Sequence, residues 1–141
     1  MRLFGNVPIP HGAPAIAARR FLRVHRAFRK GTSILAFPEG HRTRTGSLSR
    51  FGSGVFRIAV AAAEARQHGE GPAVSIVPVV LSGAFARKRV DSPRVTPGVV
   101  VVRIGAPVAP ETIRALGVQG IRTQMERVMA ADLGATASHT T

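Results

Sequence analysis

Three short apolar runs constrain this chain most: Ser33 to Phe37, Ala73 to Leu81 and Val99 to Ile104. Each has the length and residue types of a β-strand, and segments with helical periodicity separate and flank them. Strand and helix text alternating in this way predicts an α/β fold, with helices packed on a mostly parallel or mixed sheet. Ala73 to Leu81 is almost continuously apolar, the pattern of a strand buried on both faces. Pro78 interrupts it and cannot donate to a ladder, so it belongs at an edge, at a bulge or at the strand's functional end.

The helical segments read as follows. From Ala13 to Lys30, Ala17, Phe21, Val24 and Phe28 form one stripe, with Arg19, Arg23, Arg26 and Arg29 around it and Gly31 as the stop. That helix either covers a sheet face, with its arginines in water, or rests on an anionic membrane. A second helix is predicted from about Gly52 to His68, with Val55, Ile58, Ala59 and Ala62 inward and Gly69 beyond its end. Pro110, Glu111 and Thr112 suit a first helical turn, and Gly117 should break or bend the segment that follows. Val118, Ile121, Met125, Val128 and Leu133 then form a core-facing stripe up to Gly134. The expected organisation is one domain over residues 1–134, with a small polar tail over 135–141.

The chemistry concentrates where the first strand-like run ends, in Phe37-Pro38-Glu39-Gly40-His41-Arg42. The carboxyl ends of strands are where loops can gather polar groups around a ligand. Glycine permits close backbone approach, and arginine offers a planar fork for phosphate or carboxylate oxygens. The knot therefore reads as an anion-handling loop. Gly46, Gly52 and Gly54 among Ser47, Ser49 and Ser53 could cradle phosphate with backbone donors or simply make turns. No histidine cluster has metal-ligand spacing, and no serine has a hydrolase nucleophile setting.

FPEGHR followed by TRTGSLSRFGSGVF resembles the third motif region of the glycerolipid acyltransferases, the lysophosphatidic acid acyltransferase family. Glu39, Gly40 and Arg42 fall on that family's Glu, Gly and Arg. His41 stands at its threonine and Thr43 at its serine. Gly5 to His11 resembles the second motif, with His11 in place of the arginine that meets the acceptor phosphate. Val74 to Val80 resembles the fourth. The family's first motif, H-x-x-x-x-D, supplies the catalytic base, and no histidine of this chain has an aspartate five positions on. The resemblance thus implies the carboxyl-terminal part of a glycerol-3-phosphate acyltransferase-like domain, an incomplete domain without its base.

What the resemblance implies chemically is acyl transfer from acyl-CoA or an acyl carrier protein to the hydroxyl of a lysophospholipid acceptor, with no metal, no cofactor and no acyl-enzyme. Glu39, Gly40, Arg42 and His11 would hold the acceptor. Removal of the upstream part implies uncovered apolar surface and self-association.

Charge sharpens the choice of partner. There are 20 Lys+Arg against 7 Asp+Glu, a net charge of +13. Such a surface attracts an anionic membrane, nucleic acid or coenzyme A phosphates, unless a general arginine bias alone inflates it. The absence of cysteine suits a cytoplasmic protein, and no run reaches the ~18 apolar residues of a membrane span. The expected location is the cytoplasm, peripheral to the inner face of the membrane. The alternatives are a basic nucleic-acid-binding module, poorly served by a chain without Tyr or Trp, and a non-catalytic membrane-docking remnant.

Overall fold

The computed structural model describes Val24, Arg26, Ala27 and residues 30–71 and 73–137. Gly5 to His11, and with them the expected phosphate contact His11, lie outside the described residues, as does most of the helix expected from Ala13 to Lys30. Its end is described. The Thr32 N–H donates to Ala27 O at 3.2 Å across Gly31, whose φ is +75°. This bonding pattern closes a helix on a left-handed glycine, a conformation that costs glycine nothing.

Five elements follow in the chain: α1 Gly54–Gln67, β1 Val79–Ser82, α2 Ala84–Arg87, β2 Val101–Ile104 and α3 Pro110–Ala137. Helix α1 forms within the span expected for it, about Gly52 to His68, starting at Gly54 and ending at Gln67. Phe56, Ala59, Val60 and Ala63 recur at helical spacing and enter the core, and Ile58 and Ala62 are also buried. Gly69 ends the helix in the same manner as Gly31: Glu70 N–H donates to Ala65 O at 2.9 Å and Gly69 N–H to Arg66 O at 3.0 Å.

Helix α3 begins with Pro110, which needs no amide partner in a first turn, and Glu111 follows at the positive end of the helix dipole. Gly117 breaks it with φ 60° and ψ −174°, a region open essentially to glycine alone. Beyond the break Ile121 and Met125 return to the same core as Ile113, and both isoleucines are completely buried. The helix runs on to Ala137, into the segment expected to be a frayed tail. Phe51, Phe56, Ala59, Val60 and Ala63 meet Ile113, Ile121 and Met125, so the core lies between α1 and α3. The Phe51 and Phe56 rings stack at 6.2 Å.

The sheet departs from expectation. Among the described residues it has two strands, and they run antiparallel: Val79 pairs with Ile104 and Ser82 with Val101. A parallel pair would need a full crossover element, and the link between β1 and β2 carries only the single helical turn α2. The strand text of 73–81 shrinks to β1 and an isolated bridge, Ile76 to Val108. Between bridge and ladder, Val77 and Pro78 face Gly105, Ala106 and Pro107, which is one residue more. Pro78 thus sits at a bulge, where its missing N–H is harmless, and its carbonyl accepts the Gly105 N–H at 2.9 Å. Gly105 also leaves room for the proline ring, since a Cβ there would lie 2.8 Å from Pro78 Cγ. Nor is β1 buried on both faces: Val80 faces the core and Leu81 is half exposed.

Ser33 to Phe37 is not a strand. Its backbone pairs with no strand among the described residues, and Leu35 and Phe37 are 78% and 69% exposed. An apolar run of strand length specifies extended backbone, but a strand also needs a neighbour to satisfy its N–H and C=O groups.

Candidate functional site

The knot after Phe37 folds as a chain of locally closed turns. Pro38 fixes one backbone angle, Gly40 takes φ +74°, and the Gly40 N–H closes the turn on Phe37 O at 3.0 Å. The carbonyl of Pro38 then accepts the Gly52 N–H at 2.8 Å, which ties the beginning of the loop to the entrance of α1. Glu39 adds a second tie: its Oε2 accepts the Ser49 N–H at 2.7 Å, a short, charge-assisted bond.

Between these ties Thr43 organises the tip. Its hydroxyl accepts the Gly46 N–H at 2.9 Å and the Thr45 N–H at 3.3 Å, and donates to Ser47 O at 2.8 Å. Beyond the loop, Phe51 N–H donates to Glu126 Oε1 at 2.8 Å, which anchors the far limb to α3. The loop is therefore fixed at both ends. Its cations point outward: Arg42, Arg44 and Arg50 are exposed, and the Arg42 guanidinium has no partner among the described residues.

The expected site residues are placed as follows. Glu39 and Gly40 lie in the turn closed on Phe37, Arg42 follows two residues beyond Gly40 with its guanidinium unpartnered among the described residues, and Glu39 is engaged in holding the loop. His41 is exposed, and its Nδ1 lies 3.3 Å from the neighbouring Arg42 carbonyl. Among the described residues it has no acid to orient its ring, so it is not built as a base. Glu126 was not legible as a partner of the loop. It reads as one more polar position on an amphipathic helix, and a bond across that much sequence leaves no periodic signal.

A second basic segment lies beside the loop. Gly46, with φ +88°, packs on Phe85 of α2 so closely that a Cβ would lie 2.9 Å from Phe85 Cδ1. On Phe85 stands Arg89, its guanidinium carbon 5.5 Å from the ring centroid. Arg89 Nε also meets Asp91 Oδ1 at 3.4 Å. The Asp91 carboxyl is held below its ordinary range, first by its own backbone N–H, then by Arg89, with Arg44 adding a weaker pull from the neighbouring loop. Apart from this surface, a cavity of about 370 Å³ lies between the bulge and α3, lined mainly by Pro78, Pro107, Val108, Met125 and Val128. No helix among the described residues is long and apolar enough to cross a membrane.

Loop 37–52, tied at both ends, carries Arg42 exposed, with His41 between it and Pro-Glu-Gly, in the text on which the family resemblance rests. The Acyltransferase family profile matches residues 1–82, more than half of the chain. The chain belongs to the acyltransferase family. It is 34% identical over 101 residues to the 1-acyl-sn-glycerol-3-phosphate acyltransferase of Cocos nucifera. That match takes in 71% of this chain but 30% of the coconut protein, so the chain spans less than a third of that relative's length. No solved structure matches the chain significantly.

Proposed function

We propose that this chain carries the acceptor-phosphate subsite of a glycerolipid acyltransferase. The observation that supports this best is the doubly tied loop 37–52, which leaves the Arg42 guanidinium exposed and unpartnered among the described residues. A preformed loop spends little ordering entropy on binding, and a guanidinium can grip two phosphate oxygens at once. The acceptor is a lysophosphatidic acid-like lipid, in keeping with the coconut relative, whose name specifies an acylglycerol phosphate. The donor is a fatty acyl thioester, and the acceptor hydroxyl attacks it directly once a base has taken its proton.

The roles divide accordingly. Arg42 takes the phosphate. Gly40 lets the backbone turn towards it. Glu39, with one oxygen on Ser49, positions the loop and can turn its other oxygen to a glycerol hydroxyl. His11 remains a second phosphate ligand in this proposal. The base is not supplied by any H-x-x-x-x-D pair, since the sequence holds none. The chain by itself should therefore bind acceptor without appreciable turnover, because general base assistance alone contributes ~10²–10⁴-fold. Family membership favours this reading over a nucleic-acid-binding module. The net charge of +13 supports a peripheral position on an anionic membrane surface.

Calorimetric titration with a short-chain lysophosphatidic acid tests the assignment. Arg42→Ala should weaken binding by about tenfold or more, equivalent to ~1.4 kcal/mol, and Arg42→Lys should restore only part of it. Arg57→Ala, on the exposed side of α1, serves as the control for general charge. Equal losses in Arg42→Ala and Arg57→Ala would remove the subsite and leave FPEGHR as a structural turn.

A further inference from the structure

Residues 49–52 are held three times within four positions. The Ser49 N–H donates to Glu39 and the Gly52 N–H to the Pro38 carbonyl, both inside loop 37–52, whereas the Phe51 N–H donates to Glu126 of α3 at 2.8 Å. The Phe51 ring is buried in the core that also takes in Ile121 and Met125 of α3. Helix α3 therefore acts on Phe51 twice. The core fixes where the ring lies, and the carboxylate fixes how the preceding peptide plane is turned, through a charge-assisted bond. The next peptide carries the Gly52 N–H, which holds Pro38. Glu126 lies beyond residues 1–82, the part of the chain that the family profile matches.

We propose that Glu126 is a positioning residue of the acceptor subsite: by fixing the Phe51 peptide it holds the Gly52–Pro38 bond, and with it the turn that leads into Arg42. This rests on the assignment of Arg42 to the acceptor phosphate. A two-point grip on phosphate tolerates little displacement of the guanidinium. Loosening the turn therefore weakens binding although no group that touches the ligand is lost. The sign of the effect separates this role from simple charge. A carboxylate acting only through its charge would repel the acceptor phosphate, so its removal would tighten binding. Positioning predicts the opposite.

Short-chain lysophosphatidic acid is the probe, titrated into the full chain by calorimetry. Glu126→Ala should weaken it by about fivefold, while Glu126→Gln, which keeps an oxygen for the Phe51 N–H, should stay within about twofold of the unaltered chain. Glu126→Asp keeps the charge but is one methylene too short for the same bond, and it should weaken binding as well. That variant carries the test if Glu126→Ala does not fold. Thr123→Ala, exposed on the same helix, should have no effect. In an Arg42→Ala background, Glu126→Ala should weaken binding no further, because the group being positioned is already gone. Unchanged or tighter binding by Glu126→Ala, equal losses in Glu126→Ala and Glu126→Gln, or full additivity with Arg42→Ala would overturn the proposal. The two readings fail differently. If Arg42→Ala weakens the lipid and the Glu126 variants do not, only the positioning role falls. If Arg42→Ala is without effect, the acceptor assignment falls and takes the positioning role with it.

Discussion

At the scale of single residues, most of the loop's polar groups hold the loop in shape, and few are left for a ligand. Glu39 is the clearest case: half-buried, it spends one oxygen on Ser49. Glu39→Gln should keep a weaker bond, and Glu39→Ala should lose it, at about 1–2 kcal/mol for a charge-assisted bond at a partly exposed site. Hydrogen exchange at the Ser49 amide reads this directly, with faster exchange in Glu39→Ala than in Glu39→Gln. Gly46 is constrained twice, by φ +88° and by the Phe85 ring. Gly46→Ala should therefore cost about 1–3 kcal/mol in thermal or denaturant unfolding. Asp91 carries a pH signature. Its carboxyl titrates below the ordinary value of 3.8, so whatever its charge contributes is fully present above that value and fades as pH falls through the lowered one. Because Asp91 is fully exposed, Asp91→Asn should leave stability at neutral pH nearly unchanged.

Among the elements, local signals were legible in the sequence and non-local pairings were not. The apolar spacing of α1, the glycine stops at Gly31 and Gly69, the proline start of α3 and the break at Gly117 all depend on residues within a turn or two of one another. The missing donor of Pro78 limited it to an edge, a bulge or a strand's functional end, and the structure places it at a bulge. The direction of β1 against β2, and the failure of Ser33 to Phe37 to join a sheet, depend on which distant backbone is available, which no run of apolar residues encodes. The same limit hid the Glu126 tie and the Gly46–Phe85 contact. The kink provides a test at this scale. Gly117→Ala meets no neighbouring atom, so its cost is backbone strain alone, about 1–3 kcal/mol. Gly134→Ala, inside the second half of α3, should instead be neutral or stabilising by up to ~1 kcal/mol. Thermal melts of the two variants should move in opposite directions.

At the scale of the fold, the described residues form a core between α1 and α3 beside a two-stranded sheet that leaves several of its apolar side chains exposed. Ile113 and Ile121 are fully buried, and Ile121→Ala should cost about 2–5 kcal/mol. Meanwhile Leu35, Phe37, Val102 and Ile104 are each more than half exposed. Apolar surface of this extent, on a chain with charge +13, favours self-association opposed by mutual repulsion. Sedimentation should show more association as salt is raised, because screening weakens the repulsion and leaves the apolar contacts intact.

The proposed acceptor subsite recognises its ligand by the phosphate. Titration of a short-chain lysophosphatidic acid and of the monoacylglycerol with the same acyl chain, under identical salt, isolates that one group. The prediction is a preference of about tenfold or more for the phosphorylated lipid, reduced most of the way to parity by Arg42→Ala and unaffected by Arg57→Ala. Equal affinity of the unaltered chain for both lipids, or a phosphate preference that survives Arg42→Ala intact, would contradict it.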